Sequence, residues 1–253
     1  MKIAKHLVKL PPNEPNQLDQ NEAYFVLKEG EQELTLRFHD YAELFKRKGL
    51  YEQLYCDRLK CTSPDKVVGL LADVLDQNRC EMTELRVLDL GAGNGMVGEL
   101  LYERGVARIV GVDICAEAYA ACERDRPGMY DAYYLADLTE LTPGLGDEFR
   151  SWHLDAMTSV AALGFGDIPP LAFGTAYNLI QPGGWIAFNI KETFFQASDR
   201  SGFSTMVRNM ILEDRLELHH VERYRHRISM DGKPLYYYAI VGRKHEDFDL
   251  TLL

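Results

Sequence analysis

The segment that decides the fold is Val87-Leu88-Asp89-Leu90-Gly91-Ala92-Gly93-Asn94-Gly95. A mostly apolar run, typical of a buried strand, leads directly into three glycines spaced by two, and a helical stretch follows from Met96 to about Arg104. Glycine lets the backbone turn sharply and approach a ligand without an intervening Cβ atom. The amide groups of the first helical turn then face that ligand. The segment therefore predicts a strand, a ligand-binding turn and a helix.

The same alternation of strand and helix continues along the chain. Five short apolar runs are separated by helical stretches, and they lie at Arg86–Leu90, Arg108–Val112, Ala132–Leu135, Asp155–Val160 and Trp185–Ile190. This order is typical of a parallel sheet covered on both faces. Two further runs, Arg215–Ile228 and Leu235–Val241, flank Asp231-Gly232 and predict a hairpin. The predicted fold is α/β, with a doubly wound, mostly parallel seven-stranded sheet and an antiparallel last strand.

Residues 1–63 are predicted to form a small hairpin and helical cap, and residues 64–253 the main domain. The predicted cap elements are a proline-bearing arm over residues 1–20, a hairpin of Ala23–Leu27 and Leu34–Phe38, and a helix from Tyr41 to about Leu59 that Gly49 divides. We expect this cap to lie over the carboxyl ends of the strands and to cover the ligand site.

Composition narrows the functional classes. The 253 residues are 46% hydrophobic and 26% charged, which is ordinary for a globular protein. The net charge of −11 disfavours binding to a phosphate backbone. The five cysteines contain no Cys-x-x-Cys pair, so we expect neither a metal site nor a disulfide framework. No signal-like or membrane-length apolar run is visible, and the predicted location is the cytoplasm without membrane attachment.

Two cofactor classes use a glycine turn of this kind. Gly93-x-Gly95-x-x-Gly98 matches the dinucleotide fingerprint. Asp89, however, precedes the first glycine by two residues, and a carboxylate there would repel a pyrophosphate. The same carboxylate suits a methionine ammonium group or a water that bridges to it. Charge therefore favours S-adenosylmethionine (SAM) over NAD, although the glycines alone could also serve only a tight turn.

Two further acids follow the next two strands. Asp113 ends the second strand about 20 positions after the glycines, where it can accept both ribose hydroxyls. Asp137 ends the third strand, where it can accept from the adenine amine while Leu138 packs on the ring. An isolated acid at a strand end is often only a helix cap. Three carboxylates at three successive strand ends are harder to explain as turns alone.

With these acids in place, the run Val87–Gly95 resembles the class I SAM-dependent methyltransferase family. The turn Gln181-Pro182-Gly183-Gly184 is similar to the turn that precedes the fifth strand of that family. The resemblance covers residues 64–244 and implies a methyltransferase with SAM as its cofactor. The cofactor contacts expected from it are Asp89, Gly91, Ala92, Gly93, Asn94, Asp113, Ile114, Asp137, Leu138 and Val160.

The methyl acceptor is predicted to be a small molecule. After the fourth strand the chain lacks the Asn/Asp-Pro-Pro-Tyr/Phe run that amino-directed nucleobase methyltransferases use, and it has no Pro-Cys nucleophile. Candidate acceptor contacts are His39, Tyr41 and Tyr55 in the cap and Lys191 at the end of the fifth strand. Core packing of the tyrosines and a solvated strand end are the structural alternatives. A non-catalytic SAM-binding or regulatory module, and a protein or RNA acceptor, are the functional alternatives.

A row of arginines marks the sixth strand. Arg223, Arg225 and Arg227 alternate with other residues and are therefore expected to share one face. In an acidic protein this row could receive an anionic substrate. It could equally be an exposed face that pairs with neighbouring acids.

Overall fold

The computed structural model describes residues 5–11, 22–163, 167–195 and 201–253. The N-terminal cap begins with an antiparallel sheet of β1 (Leu7–Lys9), β2 (Tyr24–Glu29) and β3 (Gln32–Arg37), in that order. β2 and β3 form the predicted hairpin. β1 pairs with β2 and adds a third strand that the sequence did not predict. Residues 12–21 of the predicted arm lie outside the described residues.

Short helices complete the cap. They are α1 (Tyr41–Phe45), α2 (Leu50–Glu52) and a π-helical turn over Gln53–Arg58. Gly49 separates α1 from α2 with a positive φ of 75°, as the sequence predicts. The cap has its own apolar cluster of buried residues, which includes Phe25, Leu27, Phe38, Leu44 and Leu54. π-Helical turns are rare and often occur at functional sites, so this one indicates that Gln53–Arg58 lies near such a site.

A seven-stranded sheet forms the main domain, in the order β6-β5-β4-β7-β8-β10-β9. Its strands are β4 (Arg86–Leu90), β5 (Arg108–Asp113), β6 (Ala132–Leu135), β7 (Ala156–Ser159), β8 (Trp185–Lys191), β9 (Leu216–Ile228) and β10 (Pro234–Lys244). β4 to β8 pair in parallel, whereas β10 runs antiparallel to both β8 and β9. The predicted fold class is confirmed.

Helices cover both faces of this sheet. They are α3 (Ser63–Gln77), α4 (Met96–Glu103), α5 (Ala116–Asp125), α6 (Pro143–Ser151), α7 (Pro170–Leu179) and α8 (Phe203–Leu212). The neighbouring strand residues Val87 and Leu88 belong to two different apolar clusters. α3 and α4 contribute to the cluster of Val87, and α6, α7 and α8 to that of Leu88. Burial on both faces explains why the central strands are apolar runs without polar alternation.

The hairpin of β9 and β10 contains an irregularity. Leu235 lies opposite Arg227 and Tyr236 lies opposite Arg225, so β9 carries one extra residue, His226. Such a β-bulge interrupts the regular alternation of side chains between the two faces. As a result, His226 and Arg227 are both buried.

The predicted arginine row is therefore wrong at one position. Arg223 and Arg225 are exposed, but the bulge turns Arg227 away from their side of the strand. Arg223 pairs with Glu192 at 2.7 Å and stacks on Tyr236. This arrangement fits the alternative interpretation, an exposed face that pairs with neighbouring acids. Strict alternation could not predict this, because a bulge depends on the pairing of β9 with β10.

Two kinds of feature are absent from the described residues. None of their helices combines the length and apolarity that crossing a membrane requires. Within the same residues, His, Cys, Asp and Glu form no group of three or more that could hold a metal ion.

Candidate active site

The turn between β4 and α4 forms the centre of the site. Gly91 and Gly93 adopt the left-handed backbone region, with φ of 76° and 55°. Residues with a Cβ atom are strained there. A Cβ on Gly91 would also lie 2.8 Å from the Cβ of Ala162 and 2.9 Å from Cδ1 of Ile168. Both conformation and space therefore require glycine at position 91.

A cavity of about 530 Å³ opens where β4, β5, β6 and β7 end. Its size falls within the range typical of small-molecule and cofactor sites. Most of the predicted cofactor residues line it, namely Gly91, Gly93, Asp113, Ile114, Asp137, Leu138 and Val160. The topology of the sheet thus brings these segments together, because the ends of parallel strands meet at one edge.

Asp113 holds the glycine turn against the second strand. Its Oδ2 accepts a hydrogen bond from the backbone N–H of Gly93 at 2.8 Å, and its Oδ1 accepts from that of Cys115 at 2.9 Å. Burial raises the pKa of the carboxyl group, and these backbone donors oppose the rise. A carboxylate offers about four acceptor positions, so Asp113 can still accept from the ribose hydroxyls that the sequence predicts as its partners.

The far end of the cavity combines a polar group with apolar side chains. Asp137 caps the following turn, because its Oδ1 accepts from N and Oγ1 of Thr139 at 2.8 and 2.7 Å. These bonds lower the pKa of Asp137. Leu138 is buried, whereas 65% of Ile114 is exposed although it lines the cavity. An exposed isoleucine at a cavity wall suits packing against a flat ring such as adenine.

Asp89 lies beneath the turn and lines none of the three cavities described here. Its carboxylate accepts from the hydroxyls of Tyr130 at 2.7 Å and Thr158 at 2.8 Å. Burial raises its pKa to about 6, against the effect of these hydrogen bonds. Tyr130 also explains Gly98, since a Cβ there would lie 2.5 Å from the tyrosine ring. The apparent dinucleotide spacing thus reflects packing, while the ammonium contact of Asp89 stays a prediction.

A third cavity of about 50 Å³ shares Gly91 and Gly93 with the large one, and Ala92 and Asn94 line it. Nδ2 of Asn94 donates to Oε1 of Glu52 at 2.7 Å, and Nη1 of Arg126 donates to the same oxygen at 2.9 Å. The second oxygen of Glu52, Oε2, is buried and has no hydrogen-bond partner among the described residues. Sequence reasoning missed Glu52, since only the fold brings the cap helix to the glycine turn.

The second cavity lies between the cap and the sheet, with a volume of about 30 Å³, and His39, Tyr41, Tyr55 and Asp167 line it. Nδ1 of His39 and Oδ2 of Asp167 are 3.1 Å apart, and the hydroxyl of Tyr41 donates to the same oxygen at 3.4 Å. Burial raises the pKa of both tyrosines, so they remain protonated. The three predicted cap residues are therefore brought together, with Asp167 as a partner that the sequence did not reveal.

All three cavities meet at Ala161, which has a left-handed φ of 56°. Its N–H donates to Oδ1 of Asn189 at 2.7 Å, and Nδ2 of Asn189 donates to the hydroxyl of Tyr224 at 2.7 Å. Asn189 thus fixes the strained backbone where the cavities join. Lys191 lies at the end of the same strand, opposite Tyr237, and lines none of the three cavities.

Comparison with known proteins assigns the central part of the chain. Residues 88–188 match the family described as a methyltransferase domain. This segment of the chain is a methyltransferase domain. The matched segment extends from β4 to β8 and contains the glycine turn and every strand end that lines the large cavity. These comparisons confirm the methyltransferase activity and the SAM cofactor that the sequence predicts.

Solved structures agree with this methyltransferase domain in fold. The N-methyltransferase NodS from Bradyrhizobium japonicum, in complex with S-adenosylhomocysteine, matches 83% of this chain and 98% of its own at 14% identity and a TM-score of 0.56. Thermoplasma acidophilum 1320 matches 81% of this chain and 97% of its own at 14% identity and 0.52. An S-adenosylmethionine-dependent methyltransferase from Mesorhizobium loti matches 72% of this chain and all of its own at 18% identity and 0.50. A search of curated proteins found no match.

The residues of this methyltransferase fit SAM. The large cavity offers carboxylates at two strand ends, with an exposed isoleucine between them for the adenosine part. Beside the glycine turn, Oε2 of Glu52 is a buried acceptor without a hydrogen-bond partner among the described residues. Glu52 lines none of the three cavities, however, and its Oε1 already pairs with Arg126 at 2.9 Å. The strand ends thus offer complementary groups for the adenosine end of the cofactor.

Proposed function

We propose that this methyltransferase transfers the methyl group of SAM to a small-molecule acceptor held between the strand ends and the cap. The main support for this proposal is that the cap and the main domain form opposite walls of one cavity. Tyr41, Phe45 and Tyr51 of the cap line the same large cavity as Gly93 and Ala161 of the main domain. An acceptor between these walls has protein on two sides, which suits a small molecule better than a folded protein or an RNA helix. The net charge of −11 also disfavours RNA.

The cofactor residues have separate tasks in this proposal. Asp113 would accept the ribose hydroxyls, and Ile114 would pack against the adenine. Asn94 would hold the methionine end beside the glycine turn. Bound SAM supplies an electrophilic methyl group, so the main contribution of the protein is to align the acceptor with it and exclude water.

His39 is the proposed general base for an acceptor that must lose a proton. Nδ1 of His39 lies 3.1 Å from Oδ2 of Asp167, and this contact fixes the orientation of the imidazole that takes up the proton. Tyr41 and Tyr55 remain protonated because burial raises their pKa, so they donate hydrogen bonds rather than act as bases.

The cytoplasm is the proposed location. The five cysteines are all free thiols in the structure, and one of them, Cys122, is buried. Thiols persist in reducing compartments, whereas secreted proteins of this size usually use them in disulfides.

An acceptor screen tests the proposed function. The purified protein is incubated with SAM and, separately, with pools of small metabolites, total cellular RNA and a protein extract, and S-adenosylhomocysteine formation is measured. The proposal predicts formation with a small-molecule pool. Formation only with RNA or protein would contradict the acceptor class. Binding of SAM without formation in any pool would indicate a non-catalytic SAM-binding module.

A further inference from the structure

Arg227 is the feature that the proposed function leaves unexplained. Only 4% of this arginine is exposed, although it belongs to a strand whose other arginines, Arg223 and Arg225, face solvent. The β-bulge at His226 is what turns it inward. Bulges beside active sites commonly redirect a side chain in this way. The buried position is therefore a built feature of the hairpin.

The guanidinium of Arg227 has few protein partners. Its Nη1 donates to the backbone oxygen of Ile228 at 3.1 Å, and its carbon lies 5.9 Å from the centre of the Tyr55 ring. Across the part of the chain that the structure describes, no carboxylate lies within 4.0 Å of it. An arginine has five N–H donors. Burying this charge without an anionic partner is costly, so an anion in the space beside the guanidinium would be favoured.

The space beside Arg227 is the second cavity, which also borders Tyr55 and Asp167. Its volume of about 30 Å³ holds roughly two water molecules, or one group of similar size. The cavity shares Tyr41 and Ala161 with the large cavity. A molecule in the large cavity could therefore place one small group against Arg227.

We propose that Arg227 binds a carboxylate group of the methyl acceptor, an inference that rests on the proposed function. The planar guanidinium forms two parallel hydrogen bonds with a carboxylate. The acceptor therefore carries this carboxylate in the second cavity and, in the large cavity beside the cofactor, the atom that receives the methyl group.

The charges of the second cavity favour a singly charged group. Arg227 faces one carboxylate in this cavity, that of Asp167, whose Oδ2 is already engaged by His39 and Tyr41. His226 also lines the cavity, but burial lowers its pKa, so its ring is neutral. Among the described residues, the single cation of this cavity can pair with one negative charge. The second charge of a phosphate dianion would have no cation to pair with there and would add to the repulsion by Asp167.

Matched probes test this inference with protein saturated with S-adenosylhomocysteine. Calorimetry measures the affinities of 4-hydroxybenzoate, phenylacetate and hippurate, each against its neutral carboxamide, with phenyl phosphate as the dianion. The wild-type protein should bind at least one carboxylate at least tenfold more tightly than its amide. Arg227→Met should abolish this preference without changing the affinity for S-adenosylhomocysteine. Arg225→Met, an exposed control on the same strand, should retain it.

Three results would overturn the inference. They are the absence of any carboxylate preference in the wild-type protein, its persistence in Arg227→Met, and tighter binding of phenyl phosphate. If Arg227→Met does not fold, Arg227→Lys keeps the charge without the planar fork and should weaken the carboxylate while still preferring it to the amide. Failure of the wild-type protein to bind S-adenosylhomocysteine would instead contradict the proposed function.

Discussion

The cavity has two sides that are built differently. The strand-end side consists of the glycine turn and the ends of β5 and β6, and its key contact joins the Asp113 carboxylate to the backbone N–H of Gly93. The cap side consists of His39, Tyr41 and Tyr55 from the cap and of Asp167 and Arg227, which face them from the main domain. Main-chain geometry thus shapes the first side, and side chains from separate segments shape the second.

This difference explains how one domain type can serve many acceptors. A turn held by backbone conformation tolerates few substitutions, whereas side chains on the cap side can be exchanged without altering the sheet. The identity of the acceptor is therefore expected to depend on the cap side rather than on the fold.

The largest expected effect concerns Asp89, the buried carboxyl beneath the strand-end side. Burial raises its pKa from 3.8 to about 6. The folded protein therefore binds this proton more tightly than the unfolded chain, and the group's contribution to stability falls as pH rises from about 4 to 7. Two pKa units correspond to about 3 kcal/mol. Urea unfolding should show Asp89→Asn gaining about that much relative to wild type between pH 4 and 7.

The exposed Asp73→Asn substitution on α3 is the control for this titration and should show no such change. A stability difference between Asp89→Asn and wild type that stays constant over the pH range would contradict the assignment of a buried, proton-binding carboxyl.

The next effect concerns the cap side. His39→Ala should lower the rate of S-adenosylhomocysteine formation about 100-fold, because a general base contributes that much or more. The affinity for SAM should stay within about twofold, since His39 lies outside the wall of the large cavity. His220→Ala, at a partly exposed histidine on β9, serves as the control. Equal losses in the reaction rate and in the affinity for SAM would contradict the separate roles of the two sides.

The Gly91→Ala substitution tests whether the strand-end side depends on the backbone conformation of the glycine turn. The substitution adds both conformational strain and contact with Ala162, so we expect about 2 kcal/mol of lost stability and weaker SAM binding. Gly128 also has a positive φ, 74°, but open space around its Cβ position. Gly128→Ala should therefore cost about 1 kcal/mol and leave SAM binding intact. Equal behaviour of the two variants in urea unfolding would refute the steric argument.

The smallest effect is expected at Asp137. Its carboxylate is exposed and already caps the turn at Thr139, so Asp137→Ala should weaken SAM binding only about threefold. Glu140→Ala, an exposed acid in the same turn, is the matched control and should have no effect. A loss above about tenfold would give Asp137 a central role in adenine binding instead.

Sequence reasoning predicted the strand-end side because its signals are local. A glycine turn follows one apolar strand, and an acid ends each of the next two, so sheet topology alone brings them together. The cap side depends on long-range contacts. His39 and Asp167 are 128 residues apart, and Asn94 and Glu52 are 42 apart. Arg227 was placed on the wrong face because a single bulged residue interrupts the alternation on which that prediction relied.

The central claim is that the cavity at the strand ends binds SAM through Asp113. Calorimetric titration of the wild-type protein and Asp113→Ala with SAM, S-adenosylhomocysteine and NAD tests it most directly. The account predicts micromolar binding of the first two ligands, no binding of NAD, and a loss of at least tenfold, about 1.4 kcal/mol, in a folded Asp113→Ala variant. Preferential binding of NAD, or SAM binding that the substitution leaves unchanged, would contradict it.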